Sequence, residues 1–226
     1  TTTSAVYPEI TKTSDGYVLV AWTDFRLSGE GDIYAQKFNS SGTPQWPANG
    51  RPVSTEAADE SSVVLLPDEA GGVYIAWERA KWVGDLYIQD VYLTRLNSSG
   101  NPMAGWPVAV ATLDADQTAI ALSGDGSGGV VIVWQDSRNG NDYDIYGQRY
   151  DGNGTARWGS GGVPLSAVDN NQTNPVVVLS EGGDLLVAWE DERFSSIYGD
   201  LSVARIDGDT GAPVWASGPA GAKITT

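Results

Sequence analysis

The sequence predicts an all-β protein made of four copies of one repeat, and three observations support this fold class. The 226 residues include 28 Gly, 9 Trp and 10 Tyr beside many Val and Thr, a composition that favours short strands and tight turns over helices. Apolar strings with the same order of residues recur along the chain. Each copy also contains a turn of Asn or Asp with Gly, of the kind that joins antiparallel strands.

The repeat is clearest around one tryptophan. It stands at the same place in each copy, at steps of 55, 57 and 55 residues: Trp22, Trp77, Trp134 and Trp189. A second string follows each tryptophan, namely DIYAQKF from Asp32, DVYLTRL from Asp90, DIYGQRY from Asp144 and DLSVARI from Asp200. The step from Trp189 through the end of the chain and on to Trp22 is 59 residues, close to the period. We therefore expect a single domain of four whole repeats, at about 1–58, 59–115, 116–171 and 172–226.

Each repeat parses into four strands, most clearly in the last copy. These are NPVVVLS (174–180), DLLVAWE (184–190), DLSVARI (200–206) and a final strand around 212–225. The second strand is apolar on both faces, since Val18, Val20 and Trp22 alternate with other apolar residues, so both faces need cover. Tandem four-stranded sheets that cover one another are the blades of a β-propeller, and ring closure buries apolar surface at about 25 cal/mol per Å². The sequence thus predicts a four-bladed β-propeller with four antiparallel strands per blade.

Charge and missing residue types exclude many functions. With 29 acidic and 13 basic residues the formal charge is −16, which repels nucleic acid and anionic membrane surfaces. The chain has neither His nor Cys, so the usual general base, thiolate metal sites and disulfides are ruled out. No apolar run approaches the roughly 20 residues of a membrane helix, and no cofactor motif is present. We expect no nucleic-acid partner, no membrane insertion and no cofactor other than an optional calcium ion.

The strings W-x-D-x-R and D-I-Y-x-Q-[KR] resemble repeats of large exported bacterial proteins whose function is mostly unassigned. The first string is complete in three copies, at Trp22/Asp24/Arg26, Trp134/Asp136/Arg138 and Trp189/Asp191/Arg193. The resemblance implies a propeller blade and a secreted or cell-surface location, but no activity, because propellers include both enzymes and binders. The second copy departs with WERAKW, and the fourth has DLSVAR where DIYxQR is expected.

Enzymatic chemistry without His or Cys would require a pair of carboxylates that cleave a glycosidic bond. Acidic residues crowd the segments between the second and third strands, which we predict as loops: LSGEGD (27–32), AKWVGDLYIQD (80–90), NGNDYD (139–144) and FSSIYGD (194–200). No pair stands out, and the sialidase box S-x-D-x-G-x-x-W fails after Asp125 because Ser127 replaces its glycine. We therefore expect a non-enzymatic binding module or a structural unit of a surface assembly, with a glycan-cleaving hydrolase as the alternative. The expected partner is a protein or glycan ligand at the cell surface, or a second copy bound through terminal strands.

Candidate ligand-binding residues fall into two groups. Asp and Arg of the W-x-D-x-R string suit hydroxyls and carboxylates, although they could equally pair with each other and end the strand. Aromatic residues in the variable segments could stack on sugar rings, whereas Trp46, Trp106, Trp158 and Trp215 recur in every copy and are expected in the core between blades. The candidates are Asp24, Arg26, Trp82, Asp136, Arg138, Tyr143, Asp191 and Arg193.

Two further sets of residues have candidate roles. Asn139, Asn141, Asp142 and Asp144 offer oxygen ligands for calcium but do not complete a calcium-loop pattern. Asn39, Asn97, Asn153 and Asn171 begin N-x-[ST] triplets, which are glycan acceptors in cells that make this modification. Asn and Asp beside Gly are also ordinary turn formers, which is the simpler explanation of both sets.

Overall fold

A computed structural model of the chain describes residues 4–27, 29–140, 142–194, 199–215 and 217–224. The first sheet holds β1 (Ala5–Lys12), β2 (Val18–Asp24), β3 (Asp32–Phe38) and β4 (Arg51–Ser54). The second holds β5 (Glu60–Pro67), β6 (Val73–Val83), β7 (Leu86–Leu96) and β8 (Val108–Ala111). The third holds β9 (Gln117–Gly124), β10 (Val130–Asp136), β11 (Asp144–Tyr150) and β12 (Val163–Ser166). The fourth holds β13 (Gln172–Leu179), β14 (Leu185–Asp191), β15 (Asp200–Ile206) and β16 (Ala222–Lys223), the last preceded by the 3₁₀ turn Gly218–Ala220.

Each sheet is an antiparallel meander in which the strands pair in sequence order. The predicted all-β class with four strands per repeat is therefore confirmed. The chain divides into two compact units, Thr1–Ala109 and Val110–Thr226, each with two sheets, and the division falls inside β8. No helix in the described ranges is long and apolar enough to cross a membrane.

The second and third strands of every sheet pair along their whole length, so the register shows which residues share a face of the sheet. The repeat tryptophan lies opposite an aromatic residue or a serine of the third strand: Trp22 with Tyr34, Trp77 with Tyr92, Trp134 with Tyr146 and Trp189 with Ser202. We call the face with this tryptophan the tryptophan face and the other one the opposite face. Successive side chains alternate between the two faces, so both are apolar, as predicted.

Within each unit, the opposite face of one sheet packs on the tryptophan face of the next. In the first unit one buried cluster joins Leu19, Ala21 and Ile33 of the first sheet to Val73, Ile75 and Trp77 of the second. In the second unit a matching cluster joins Val131, Val133 and Ile145 of the third sheet to Leu185, Val187 and Trp189 of the fourth. Burial of apolar surface between sheets is thus the main stabilising contribution in both units.

The segment 80–90, predicted as a loop, is instead a continuation of the hairpin. β6 and β7 are 11 residues long and stay paired as far as Val83 and Leu86, around the two-residue turn Gly84–Asp85. Val83, Leu86 and Tyr87 favour strands, and Gly84 supplies the positive φ of 60° that the tight turn needs. The final strand is also shorter than predicted, because turns with positive φ at Gly218 and Gly221 interrupt it.

Candidate functional site

The tryptophan, aspartate and arginine of the repeated string form one hydrogen-bonded unit at the end of the second strand. In the third sheet the Trp134 indole N–H donates to Asp136 Oδ2 at 2.7 Å, and the Arg138 backbone N–H donates to Oδ1 at 2.9 Å. The Arg138 guanidinium also binds this carboxylate and lies 3.9 Å from the Tyr146 ring centre. The same contacts occur at Trp22/Asp24/Arg26 and, apart from the tyrosine, at Trp189/Asp191/Arg193.

Each Trp-Asp-Arg group contacts the segment before the fourth strand, at a glycine. The Arg26 guanidinium donates to the Asn49 carbonyl at 2.8 Å, just before Gly50, and Arg138 donates to the Gly161 carbonyl at 3.0 Å, just before Gly162. A Cβ on Gly162 would lie 2.4 Å from the Trp134 ring, and φ is +84°. Only glycine therefore fits, and the predicted ligand residues Asp136, Arg138, Asp191 and Arg193 are engaged in holding the sheet together.

The second sheet replaces the aspartate by a carboxylate from another strand. Arg79 stands where the other sheets have aspartate, and its register partner on β5 is Glu60. Glu60 Oε1 accepts hydrogen bonds from the Trp77 indole at 3.0 Å, Arg79 Nε at 2.9 Å and Ser54 Oγ at 2.6 Å. Sequence reasoning missed Glu60, although one signal was present: Gln117 and Gln172 hold this register position opposite the aspartates of the third and fourth sheets.

Burial and pairing shift the pKa values of these carboxyls in opposite directions. Burial alone would raise the pKa of Asp191, but hydrogen bonds from Arg193 and Ser202 outweigh it and bring that pKa below its usual value. The hydrogen bond from Arg26 lowers the pKa of Asp24. Burial raises the pKa of Glu60 despite its three donors. Burial and the charge of Asp24 raise the pKa of Asp32.

The lowered pKa of Asp191 predicts a loss of stability in acid that an asparagine variant does not share. Because the folded pKa lies below the unfolded value, this carboxylate stabilises the protein above the unfolded pKa, and the contribution is lost as pH falls through the folded pKa. We expect Asp191→Asn to be less stable than the unmodified chain at pH 7, and the two urea midpoints to converge between about pH 4 and pH 2. A difference that is constant over this range would contradict the assignment.

A cleft lies on the tryptophan face of the first sheet. Its volume is about 580 Å³, and its lining includes Trp22, Asp24, Arg26, Asn49 and Gly50. The corresponding faces of the second and fourth sheets are covered by the preceding sheet of their own unit. Among the three complete motifs, the one with Asp24 and Arg26 therefore borders an open cleft.

An exposed aromatic pair stands on the long hairpin of the second sheet. Trp82 and Tyr87 are 69% and 49% exposed, and their ring centres are 5.0 Å apart. The Tyr87 hydroxyl donates to Asp59 Oδ2 at 3.3 Å, while Asp59 Oδ1 accepts the Gly31 backbone N–H at 2.8 Å. Burial, Asp59 and Glu30 together raise the pKa of Tyr87. The Asp59 carboxylate thus lies beside two exposed rings, and the charge of Glu30 acts on Tyr87. We call Trp82, Tyr87, Asp59 and Glu30 the hairpin platform.

Glycine at position 31 sets the place of Asp59 in this platform. A Cβ there would lie 2.6 Å from the Glu60 carbonyl oxygen and 2.9 Å from Asp59 Oδ1. The Glu60 backbone N–H in turn donates to the Gly31 carbonyl at 2.8 Å. The two loops therefore approach each other as closely as their backbones allow, which holds the Asp59 carboxylate next to Tyr87.

Three of the four predicted calcium residues, Asn139, Asp142 and Asp144, lie within the described ranges. The Asn139 side-chain amide donates to Asp144, whose pKa is raised by burial, and Asn141 lies outside the described residues. In the ranges that the structure covers, no group of three or more Asp or Glu side chains is arranged to hold a metal ion. Tyr143 donates its hydroxyl to Asp116 at 2.7 Å, and burial raises the pKa of Tyr143 to about 12.

The candidate glycosylation sites occupy turns. Asn39 Oδ1 accepts backbone N–H groups two and four residues further on, and Asn97 repeats this pattern. Asn153 is exposed at the corresponding turn of the third sheet. The Asn171 amide donates to Glu192 Oε2 at 2.8 Å, which ties its nitrogen to the fold.

Comparison with known proteins gives similarity in structure alone. No family model and no curated protein matches the chain. A Hadza microbial sialidase superposes with a TM-score of 0.68 at 14% identity, over 99% of this chain and 47% of that chain. A protein of unknown function from Dyadobacter fermentans gives 0.58 at 13%, over 92% and 67%. An α-L-arabinanase of Penicillium chrysogenum, complexed with arabinobiose, gives 0.56 at 13%, over 98% and 69%.

The similarity to these structures supports a β-propeller fold. The chain spans about half the length of the sialidase and about two thirds of the other two proteins. At such low identities the comparison shows similarity of fold only, and the chemistry has to be argued from the residues of this chain.

Proposed function

We propose that this chain is a β-propeller glycoside hydrolase, whose four sheets are blades and whose hairpin platform binds a neutral glycan and cleaves its glycosidic bond. The exposed Trp82 ring, packed on Tyr87 beside the Asp59 carboxylate, is the observation that carries the proposal. The names of structural neighbours, among them the arabinanase, support a role on glycans.

Sugar binding follows from the chemistry of the hairpin platform. The apolar face of a pyranose or furanose ring stacks on an indole, and Trp82 presents one on a paired hairpin. Because β6 and β7 remain hydrogen-bonded to the tip, stacking costs little conformational entropy. Sugar hydroxyls donate to the carboxylate oxygens of Asp59 and Glu30, which orient the ring.

The charge of the chain selects neutral sugars. A formal charge of −16 and the two carboxylates of the platform repel sialic and uronic acids over the Debye length of about 8 Å at physiological salt. Uncharged polymers such as arabinan have no such barrier. We therefore propose neutral polysaccharides as the substrate class.

Cleavage uses the two carboxyl groups in different roles. Asp59, which hydrogen bonds from Tyr87 and Gly31 hold in place, takes the proton of the attacking water. Glu30 donates a proton to the oxygen of the leaving sugar. The glycosidic C–O bond breaks, the water oxygen bonds to the anomeric carbon, and both products carry a free hydroxyl.

Hydrolysis and binding are measured separately on a panel of neutral polysaccharides, by release of reducing ends and by titration calorimetry. We expect Trp82→Ala to weaken binding at least about 10-fold, and Asp59→Asn to lower turnover about 100-fold while binding is kept. Leu86→Ala, at an exposed aliphatic residue of the same hairpin, is the matched control and should change neither. If Trp82→Ala binds and cleaves these polysaccharides as well as the unmodified chain does, the hairpin platform is not the site.

A second candidate function is a glycan-binding module without catalysis. It is favoured because Asp136 and Asp191 are fully buried and form ion pairs with Arg138 and Arg193, so these carboxylates cannot reach a glycan. The same panel separates the two functions: binding through Trp82 without release of reducing ends supports the module, and release that depends on Asp59 supports the hydrolase. An unmodified chain that neither binds nor cleaves any neutral glycan contradicts both.

A further inference from the structure

Two sheet faces carry exposed apolar side chains within the described ranges. On the opposite face of the fourth sheet, Val176 and Val178 are 61% and 58% exposed. They border a cavity of about 200 Å³ with Leu186, Ala188 and Val203. On the tryptophan face of the first sheet, Ile10 is 68% exposed and Trp22 is only half-buried, whereas the three other repeat tryptophans are buried. Exposed apolar patches of this kind mark interaction surfaces.

These two faces are the two halves of a contact that the chain already makes twice. In the first unit Leu19 and Ala21 of an opposite face cover Trp77, and in the second unit Val131 and Val133 cover Trp189. Leu186 and Ala188 hold the same positions, three residues and one residue before the repeat tryptophan of the fourth sheet. The fourth sheet therefore presents a surface that fits a tryptophan face, and the first sheet presents an uncovered tryptophan face.

A second feature is common to the two internal contacts. Trp46 lies against Gly100 of the next sheet, with its indole N–H donating to the Ser98 carbonyl at 3.3 Å. Trp158 lies in the same way against Gly211, and donates to the Gly208 carbonyl at 3.2 Å.

The fourth and first sheets hold the groups that match this contact. Trp215 holds the same position in the fourth sheet but is 37% exposed, while Trp46 is only 7% exposed. Gly42 holds the matching turn of the first sheet, and no described atom lies within 4 Å of its Cβ position. The fourth sheet thus offers the tryptophan, and the first sheet offers the glycine turn.

A third feature is a cationic side chain of one sheet that donates hydrogen bonds to backbone carbonyls of the next sheet. Lys37 Nζ donates to the Gly71 carbonyl at 2.8 Å and the Ser98 carbonyl at 3.5 Å, and Arg149 donates to the Gly208 carbonyl at 2.8 Å. Arg205 holds this position on the fourth sheet and pairs with Asp184 of its own sheet at 2.6 Å. The matching acceptor on the first sheet is the Ser40 carbonyl.

We propose that a second copy of this chain docks head to tail, with the tryptophan face of its first sheet on the opposite face of the fourth sheet. In this contact Trp215 packs on Gly42 of the second copy, Arg205 donates to its Ser40 carbonyl, and Val178 enters the cleft over its Trp22. The occupant is a second copy because one chain carries both halves of the contact, a heterologous arrangement that leads to a ring or a filament. This arrangement differs from the pairing of terminal strands that the sequence suggested, because here two sheet faces pack on each other and no strand edges pair.

Salt distinguishes this contact from one held by charge. Both copies carry −16, so repulsion opposes association at low ionic strength, whereas the proposed contact is apolar. Screening the repulsion should therefore strengthen association as sodium chloride rises from about 0.01 to 0.5 M. Weaker association at higher salt would count against an apolar contact.

Sedimentation equilibrium of the full chain tests the proposal. We expect a mass of at least twice 23.9 kDa at high protein concentration. Ile10→Asp blocks only the tryptophan face and Val178→Asp only the opposite face, and both residues are exposed, so both variants should fold. Each alone should be a monomer, but an equimolar mixture should form a 1:1 dimer, because each variant retains the half that the other lacks.

The control is Leu86→Asp, at an apolar side chain that is equally exposed but lies on the hairpin, and it should leave association unchanged. A monomer of 23.9 kDa at every concentration and salt would overturn the proposal and leave the faces to another partner, such as a further sheet of a longer chain. Variants that associate as strongly as the unmodified chain, or a mixture that stays monomeric, would equally overturn it. Circular dichroism of each variant confirms that the sheets are intact.

Discussion

Glu60→Ala is expected to lower the free energy of unfolding by about 3 to 5 kcal/mol. Its carboxylate is fully buried and accepts from Trp77, Arg79 and Ser54, so its removal leaves a guanidinium and an indole without their acceptor in the interior. Urea unfolding followed by tryptophan fluorescence measures the loss. Asp209→Ala is the control, because Asp209 is almost fully exposed in its pair with Arg149 and should cost less than about 1 kcal/mol.

A compensating variant separates this pairing from a general effect of mutation. Glu60→Gln combined with Arg79→Asp and Lys81→Arg gives the second sheet the arrangement of the third and fourth sheets, where Gln117 and Gln172 face aspartates. The triple variant should recover most of the stability that Glu60→Ala loses. Equal losses in Glu60→Ala and Asp209→Ala would contradict the role of the buried carboxylate.

The strands of this fold could be predicted because their signals are local. Alternating apolar residues and Asn/Asp-Gly turns identify β2, β3 and their copies, whose bounds differ from prediction by a residue or so. The long hairpin was missed because Gly84, Asp85 and Asp90 read as loop residues, although Val83, Leu86 and Tyr87 favour strands. Cover of apolar faces by a neighbouring sheet was predicted, and a buried cluster joins the two sheets of each unit in this way.

Only those residues of the candidate site that depart from the repeat pattern could be predicted from the sequence. Trp82 interrupts the pattern of the second copy, and it is exposed on the hairpin. Asp136 and Arg138 follow the pattern, and they serve the fold that the pattern specifies. Asp59 and Glu30 were not singled out, because the loops that bring them near Tyr87 are distant in sequence, and their approach depends on the backbone contact at Gly31.

Trp189→Ala should cost about 3 to 5 kcal/mol of unfolding free energy, and Trp22→Ala should cost clearly less in the monomer. The two tryptophans are matched in chemistry, since each indole donates to the aspartate two residues further on, at 3.2 and 2.8 Å. They differ in cover, because the third sheet buries Trp189 while Trp22 borders the open cleft. Urea midpoints at about 1 µM protein compare the two losses under conditions that favour the monomer.

The same pair of variants connects stability to association. If a second copy covers Trp22, binding stabilises the folded state by mass action, and the unmodified chain gains stability as its concentration rises. Trp22→Ala weakens that contact, so its deficit should grow between about 1 and 100 µM protein, whereas the deficit of Trp189→Ala stays nearly constant. Losses that are equal at low concentration would mean that Trp22 is as well covered within the chain as Trp189. A Trp22→Ala deficit independent of concentration would place the partner of the first sheet outside this chain.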